Sequence, residues 1–175
     1  TGQAMKRFNF CPHCGSEGLE WREGKQWFCN QCGFTYFHNA AAAVGAVLSF
    51  QDQILLTVRK HNPCQGMLDL PGGFVDYHES LEAALSREIS EELNLLFSES
   101  SWRYLFSYGN RYLYADIQYY TTDAFFLLRL EEKPEIVVGD DVAETRWIKT
   151  DQVALEDIGL ESVRNAIGRF IQTDS

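Results

Sequence analysis

The fold of this chain is decided by residues 73–95, which read GFVDYHESLEAALSREISEELNL. Four aliphatic residues recur at intervals of four in this stretch: Leu81, Leu85, Ile89 and Leu93. That spacing predicts an amphipathic helix over about residues 80–93. Ser80 is suited to cap the N-terminus of the helix, and Asn94 tolerates the left-handed backbone that often ends a helix.

Three carboxylates fall within one narrow arc of the predicted helix, at Glu88, Glu91 and Glu92. They share an arc because residues three and four positions apart lie on the same helix face. Like charges placed this close cost stability, and the arc borders the apolar stripe. Clustered oxygen ligands are what Mg²⁺ or Mn²⁺ requires. The arc therefore predicts a divalent-metal site, with a solvated acidic face as the alternative.

The same stretch resembles the box of the Nudix family, G-x5-E-x7-R-E-U-x-E-E-x-G-U, in which U is aliphatic. Every position matches except Asn94, where the family has glycine. The resemblance covers about residues 40–170. It implies an α/β/α sandwich around a mixed sheet, and an enzyme in which water attacks a pyrophosphate phosphorus with the help of Mg²⁺ or Mn²⁺.

The resemblance also implies a role for each residue of the box. The three glutamates of the arc would bind the catalytic ions, and either Glu91 or Glu92 would also act as general base. Gly73 would let its loop pass close to the metals. Glu79 and Arg87 would pair with each other and hold that loop against the helix.

Four of the five cysteines form two CxxC pairs separated by 14 residues: Cys11, Cys14, Cys29 and Cys32. Two intervening residues let one tight turn present both sulfurs to a tetrahedral Zn²⁺. The alternatives are redox motifs or a disulfide pair, but the doubling and the glycine after each pair favour a structural zinc. We therefore expect an N-terminal zinc ribbon in residues 1–39 and a Nudix domain in residues 40–175. Cys64 is left over.

A zinc ribbon before a Nudix domain resembles the bacterial NADH pyrophosphatases, which carry an acidic residue shortly before a late tryptophan. Two acids precede Trp147 here, and the resemblance makes Asp141 the first candidate for a further metal ligand and Glu144 the second. The alternative is that both are ordinary loop acids.

Residues 106–114 read FSYGNRYLY where NADH pyrophosphatases have an S-Q-P-W-P-F-P-x-S motif. This departure argues against NADH specificity. Tyr112 and Tyr114 are candidates for stacking on a nucleobase, and Arg111 for contacting a phosphate. Core or rim positions in a strand are the alternative for all three.

The remaining pattern predicts a hairpin from strands at 41–50 and 54–59. Further strands are expected at 68–70, 102–108, 118–130 and 147–148, and helices near 151–155 and 161–172. A break is expected at residues 71–73, which read PGG.

Bulk composition limits the possible functions. A formal net charge of −10 argues against a nucleic-acid-binding protein. The sequence contains no apolar run of 18 residues, so a membrane-spanning helix is not expected. The first residues lack the apolar stretch of a secretory signal. A cytoplasmic protein is therefore expected.

The substrate class we expect is a nucleoside diphosphate linked to another moiety, such as ADP-ribose, an NADH-like dinucleotide or a nucleotide sugar. The alternatives are a non-catalytic module that senses nucleotides and a house-cleaning enzyme for damaged nucleoside triphosphates. Nudix relatives are often homodimers, so a homodimer is also possible.

Overall fold

The computed structural model describes residues 8–114 and 117–173, without the side chains of 112–114 and 117. A small antiparallel sheet comes first along the chain. It is built from β1 (Leu19–Arg22), β2 (Gln26–Cys29) and β3 (Thr35–Phe37), in the order β1-β2-β3.

A seven-stranded sheet forms the body of the protein. Its strands are β4 (Ala41–Phe50), β5 (Gln53–Arg59), β6 (Leu68–Asp69), β7 (Gly72–Phe74), β8 (Arg103–Tyr114), β9 (Ile117–Arg129) and β10 (Val142–Lys149). The main order is β10-β5-β4-β9-β8, with β6 beside β5 and β7 beside β4. The central pair, β4 and β9, is parallel, whereas the other pairs are antiparallel. The sheet is therefore mixed, as expected.

Two helices cover the sheet, α1 (Leu81–Leu93) and α2 (Glu161–Thr173). Helix α1 packs its buried side chains in one core with Val44, Ala46 and Leu48 of β4. Helix α2 packs in a second core with Val47 of the same strand. Alternate residues of a strand point to opposite faces, so the helices lie on opposite faces of the sheet. The predicted α/β/α sandwich is confirmed.

The predicted hairpin is also confirmed, since β4 and β5 pair antiparallel through Ser49 and Ile54. The predicted helix at 151–155 is wrong, because that region forms two 3-10 turns at Thr150–Gln152 and Leu155–Asp157.

The expected break at residues 71–73 is instead largely strand β7. Gly72 has a φ of 145°, and a Cβ built on it would lie 2.1 Å from the Val44 carbonyl oxygen. Only glycine therefore lets β7 approach β4 this closely.

Among the described residues, none of the helices combines the length and apolar character needed to cross a membrane.

Candidate active site

Helix α1 is capped at both ends as its sequence predicts. The Ser80 hydroxyl accepts a hydrogen bond from the Ala83 amide at 3.0 Å. Asn94 has φ 55° and ψ 35°, and its amide donates to the Ser90 carbonyl. Since Leu85 and Ile89 are fully buried, the rotation of the helix about its axis is set, and with it the direction in which the glutamates point.

Arg87 is the centre of an ion-pair network on this helix. Its Nε and Nη2 donate to the two carboxylate oxygens of Glu79 at 2.8 and 3.0 Å. Its Nη1 donates to Glu88 at 2.9 Å and to Glu91 at 3.2 Å. Nη2 also donates to the Phe74 carbonyl at 2.9 Å. The hydrogen bonds from Arg87 lower the pKa of the Glu79 carboxyl, and the network ties the loop before α1 to the helix.

The carboxylates of Glu88 and Glu92 both lie against the strand β7. The Gly72 amide donates to Glu92 Oε2 at 2.9 Å. A Cβ built on Gly73 would lie 2.5 Å from the carboxyl carbon of Glu88. The absence of a side chain at Gly73 is therefore what leaves room for the Glu88 carboxylate.

Burial dominates the electrostatics of this site. It raises the pKa of Glu92 to about 8 against the hydrogen bond from Gly72, and the nearby charges of Glu88, Asp69 and Asp141 add to the rise. Burial also raises the pKa of Glu88. Arg87 pairs with Glu88, whereas among the described residues Glu92 accepts only from a backbone amide, so these partly buried carboxylates carry unbalanced negative charge. Such a site suits a hard divalent cation that brings its own waters.

Glu91 occupies a different environment from its two neighbours. Its side chain is 59% exposed, compared with 15% for Glu88. Glu91 is thus the member of the arc most open to solvent.

The segment before β10 closes the C-terminal end of α1. The Gly139 amide donates to the Glu92 carbonyl at 2.7 Å, and the Val137 amide donates to Leu93 at 3.3 Å. A Cβ on Gly139 would lie 2.1 Å from the Glu91 carbonyl oxygen, so glycine is required there. No local sequence pattern predicts this contact, because its partners are distant along the chain.

The two late acids have different surroundings. The Asp141 carboxylate is exposed, lies 3.7 Å from His61 Nε2, and is close enough to Glu92 to raise its pKa. Glu144 is exposed on β10 and forms an ion pair with Arg146. Asp141 is therefore the late acid whose charge acts on the carboxylate arc.

The candidates on β8 are less informative. Arg111 is exposed and pairs across the sheet with Tyr120. The side chains of Tyr112 and Tyr114 lie outside the described residues.

A cavity of about 500 Å³ lies next to β7, and the three glutamates of the arc are not among its lining residues. Residues 72–74 of β7 form part of its wall, and β4 and β9 contribute half of the other lining residues. Its polar lining includes Asp123 and the ion pair between Arg59 and Asp69, whose side chains approach to 2.5 Å. Sequence reasoning missed these acids. The sequence signal that could have identified them is an acidic residue at a strand position where alternation predicts a buried side chain.

The four N-terminal cysteines meet at one point. Within the described ranges they are the only set of three or more His, Cys, Asp or Glu side chains whose ligand atoms all lie within 4.8 Å of one another. The Sγ atoms of Cys11 and Cys32 are 3.7 Å apart, as are those of Cys14 and Cys29.

These sulfur separations fit a metal better than a disulfide. A tetrahedral site with Zn–S bonds of about 2.3 Å needs sulfurs about 3.8 Å apart, and a disulfide needs about 2.05 Å. The two CxxC turns are also alike, because the amides of Gly15 and Gly33 donate to Cys11 and Cys29 at 2.8 and 2.9 Å. The cluster is therefore preorganised for a tetrahedral ion.

Comparison with known protein families identifies the family of this chain. The NUDIX domain profile matches residues 38–169. The chain belongs to the Nudix family. Nudix enzymes use divalent metals, and the donor set of Glu88 and Glu92 fits such an ion.

Individual Nudix proteins are similar to parts of the chain. The ADP-ribose pyrophosphatase of Methanocaldococcus jannaschii is 35% identical over 112 residues, which are 64% of this chain and 63% of that protein. The NAD-capped RNA hydrolase NudC of Yersinia pestis is 36% identical over 87 residues, which are 49% of this chain and 33% of that protein. The chain thus spans less than two thirds of the length of these curated relatives.

A solved Nudix structure supports the fold over nearly the whole chain. The NUDIX hydrolase of Nitrosomonas europaea has a TM-score of 0.68 and 23% identity, and the alignment covers 93% of this chain and 90% of that one. At this identity the likeness shows the Nudix fold alone.

Proposed function

We propose that the chain is a pyrophosphohydrolase that cleaves a nucleoside diphosphate linked to another moiety, with Mg²⁺ or Mn²⁺ as cofactor. The observation that carries the proposal is the position of Glu88 and Glu92 against residues 72–74, which also form a wall of the cavity of about 500 Å³. A ligand in that cavity would place its diphosphate beside the buried carboxylates.

ADP-ribose is the first substrate to test. The archaeal relative named for this substrate matches more of the chain than the NudC proteins do. NADH-like dinucleotides come second, because residues 106–114 lack the S-Q-P-W-P-F-P-x-S motif. Nucleotide sugars share the same diphosphate linkage and complete the class.

Several carboxylates would contribute to the metal site. Glu88, Glu91 and Glu92 would hold the catalytic ions, with Asp141 as a further ligand; Glu144, paired with Arg146, is the weaker candidate. When bound, the ions would polarise the phosphoryl oxygens and lower the pKa of the attacking water.

Hydrolysis would form one phosphorus–oxygen bond to water and break one bond to the bridging oxygen of the diphosphate. The proton lost by water would pass to Glu91 or Glu92 as general base. Arg87 and Glu79 would position the carboxylates without touching the substrate, since their contacts run to the glutamates and to the loop. Gly73 would leave room for the Glu88 carboxylate and also forms part of the cavity wall.

We propose in addition that the cysteine cluster holds a structural Zn²⁺, and that the chain divides into a zinc ribbon (1–39) and a Nudix domain (40–175). The separation of the strands into a three-stranded and a seven-stranded sheet supports this division.

The proposal is tested with a panel of nucleoside diphosphate derivatives and nucleoside triphosphates, in Mg²⁺ or Mn²⁺, with products identified by chromatography. We expect ADP-ribose to yield AMP and ribose 5-phosphate. Glu91→Gln should lower kcat by roughly 100-fold or more. Glu82→Gln, on the first turn of the same helix, is the matched control and should retain activity.

Two results would contradict the proposal. Turnover of triphosphates alone would support the house-cleaning enzyme. Nucleotide binding with no turnover of any compound would support the non-catalytic sensor.

A further inference from the structure

Small residues on β4 create the floor of the cavity next to β7. They occupy alternate positions: Ala41, Ala43 and Gly45. Their parallel partners on β9 are Thr121, Asp123 and Phe125. All six line the cavity, as expected for positions on one face of neighbouring strands. A Cβ on Gly45 would already lie 3.0 Å from the Phe125 ring, so larger side chains in this row would fill the space.

Two polar atoms on this floor lack hydrogen-bond partners among the described residues. Asp123 is 7% exposed; Ser162 donates to its Oδ2 at 2.5 Å, but its buried Oδ1 has no hydrogen-bond partner. Thr121 is 4% exposed, and its buried Oγ1 has no partner either. Orphaned buried polar atoms cost stability and are rare in folded proteins. Both residues line the cavity, so a ligand bound there would be placed to supply the missing partners.

The rest of the lining defines the shape and polarity of that ligand. Leu70, Phe125 and Val163 give the cavity apolar walls, which suit a flat ring, whereas the unpaired carboxylate oxygen requires a hydrogen-bond donor. Thr121 lies two positions before Asp123 on the same strand, and its hydroxyl can donate to an acceptor on the ligand. The complementary edge is a ring with an amino donor beside a nitrogen acceptor, and the 6-amino group and N1 of adenine form such an edge.

We propose that Asp123 and Thr121 recognise the adenine base of the substrate, with the 6-amino group donating to Asp123 Oδ1 and Thr121 donating to N1. This inference rests on the proposed function, since it places the base of the cleaved nucleotide in the cavity. The diphosphate then follows the wall formed by Gly72 and Gly73 towards the carboxylates. Asp123 and Thr121 are specificity-determining residues and take no part in cleavage.

The test compares ADP-ribose with inosine diphosphate ribose, which differs only in the base. The 6-oxo group of hypoxanthine places an acceptor against the Asp123 carboxylate. The wild-type protein should therefore have a KM for ADP-ribose lower by roughly tenfold or more, as expected for a hydrogen bond to a charged group. The kcat values should be similar, because the base is remote from the cleaved bond.

Three variants separate recognition from folding. Asp123→Asn keeps an acceptor for Ser162 and offers an amide that can donate to the 6-oxo group, so the KM preference should disappear or reverse. Thr121→Val is nearly isosteric and should raise the KM for ADP-ribose by about 3- to 10-fold. Thr122→Val is the matched control, since Thr122 is exposed on the opposite face of β9, and it should change neither KM.

Each outcome decides between the inference and the function on which it rests. Equal KM values in the wild type, or an unchanged ratio in Asp123→Asn with hydrolysis intact, would overturn the inference and leave the proposed function standing. Absence of hydrolysis would overturn the proposed function. In that case the ratio of the two dissociation constants, measured by calorimetry, tests the recognition of adenine by itself.

Discussion

Replacing Gly73 with alanine tests how the loop positions the carboxylate arc. The added Cβ would lie 2.5 Å from Cδ and Oε1 of Glu88 and 2.7 Å from Oε2. Since carbon atoms make favourable contacts at about 3.5 Å or more, the carboxylate has to move by about 1 Å. Gly73 does not have a positive φ, so the alanine backbone itself carries no strain. A displacement of this size in a catalytic group costs up to roughly 100-fold in rate.

The assay is kcat for ADP-ribose together with the Mn²⁺ dissociation constant from calorimetry. We expect Gly73→Ala to lower kcat by roughly 10- to 100-fold and to weaken Mn²⁺ binding, with little change in thermal stability. Gly109→Ala is the control, because a Cβ at Gly109 meets nothing within 4 Å among the described residues. Wild-type kcat and Mn²⁺ affinity in Gly73→Ala would refute the reasoning, since they would show that the observed position of Glu88 is not required.

Three further predictions concern stability and metal content. Arg87→Gln should lower the urea concentration at the midpoint of unfolding, because it leaves Glu79 and Glu88 without their common cation; an unchanged midpoint would contradict a stabilising role of the Arg87 network. Elemental analysis should find about one zinc per chain. The Cys29→Ser variant should lose this zinc, and the Cys64→Ser control should keep it. Zinc retained in Cys29→Ser would contradict the assignment of the cysteine cluster as a zinc site. Burial raises the pKa of Glu92 to about 8, which is above the pKa of this carboxyl in the unfolded chain. Without metal, the contribution of Glu92 to stability is therefore present at low pH and lost as pH rises through about 8. Mg²⁺ or Mn²⁺ should therefore raise Tm more near pH 8 than near pH 5, and an equal gain at both would contradict the buried carboxylate site.

The parts of the fold that follow local rules were predictable from the sequence. The four-residue spacing of Leu81 to Leu93 predicted α1, and the capping preferences of Ser80 and Asn94 predicted where it ends. The apolar run at 41–50 and the turn after it predicted the β4–β5 hairpin. These features depend on residues within a few positions of one another, so one sequence contains the information.

Features that depend on tertiary pairing could not be predicted. The cavity arises because Ala43 pairs with Asp123, 80 positions later, and no local pattern specifies that register. The contact of Gly139 with the end of α1 has the same character. The PGG sequence at residues 71–73 predicted a break, but strand β7 fits beside Val44 because Gly72 has no side chain. Packing against the rest of the protein decides each of these cases.

The most direct test of the metal and substrate sites is diffraction at the manganese absorption edge from crystals grown with Mn²⁺ and the α,β-methylene analogue of ADP-ribose, which cannot be cleaved. We expect anomalous peaks within coordination distance of Glu88 and Glu92, the methylene diphosphate beside residues 72–74, and the adenine against Asp123. Manganese bound away from the α1 carboxylates, with the analogue outside the cavity, would contradict this expectation.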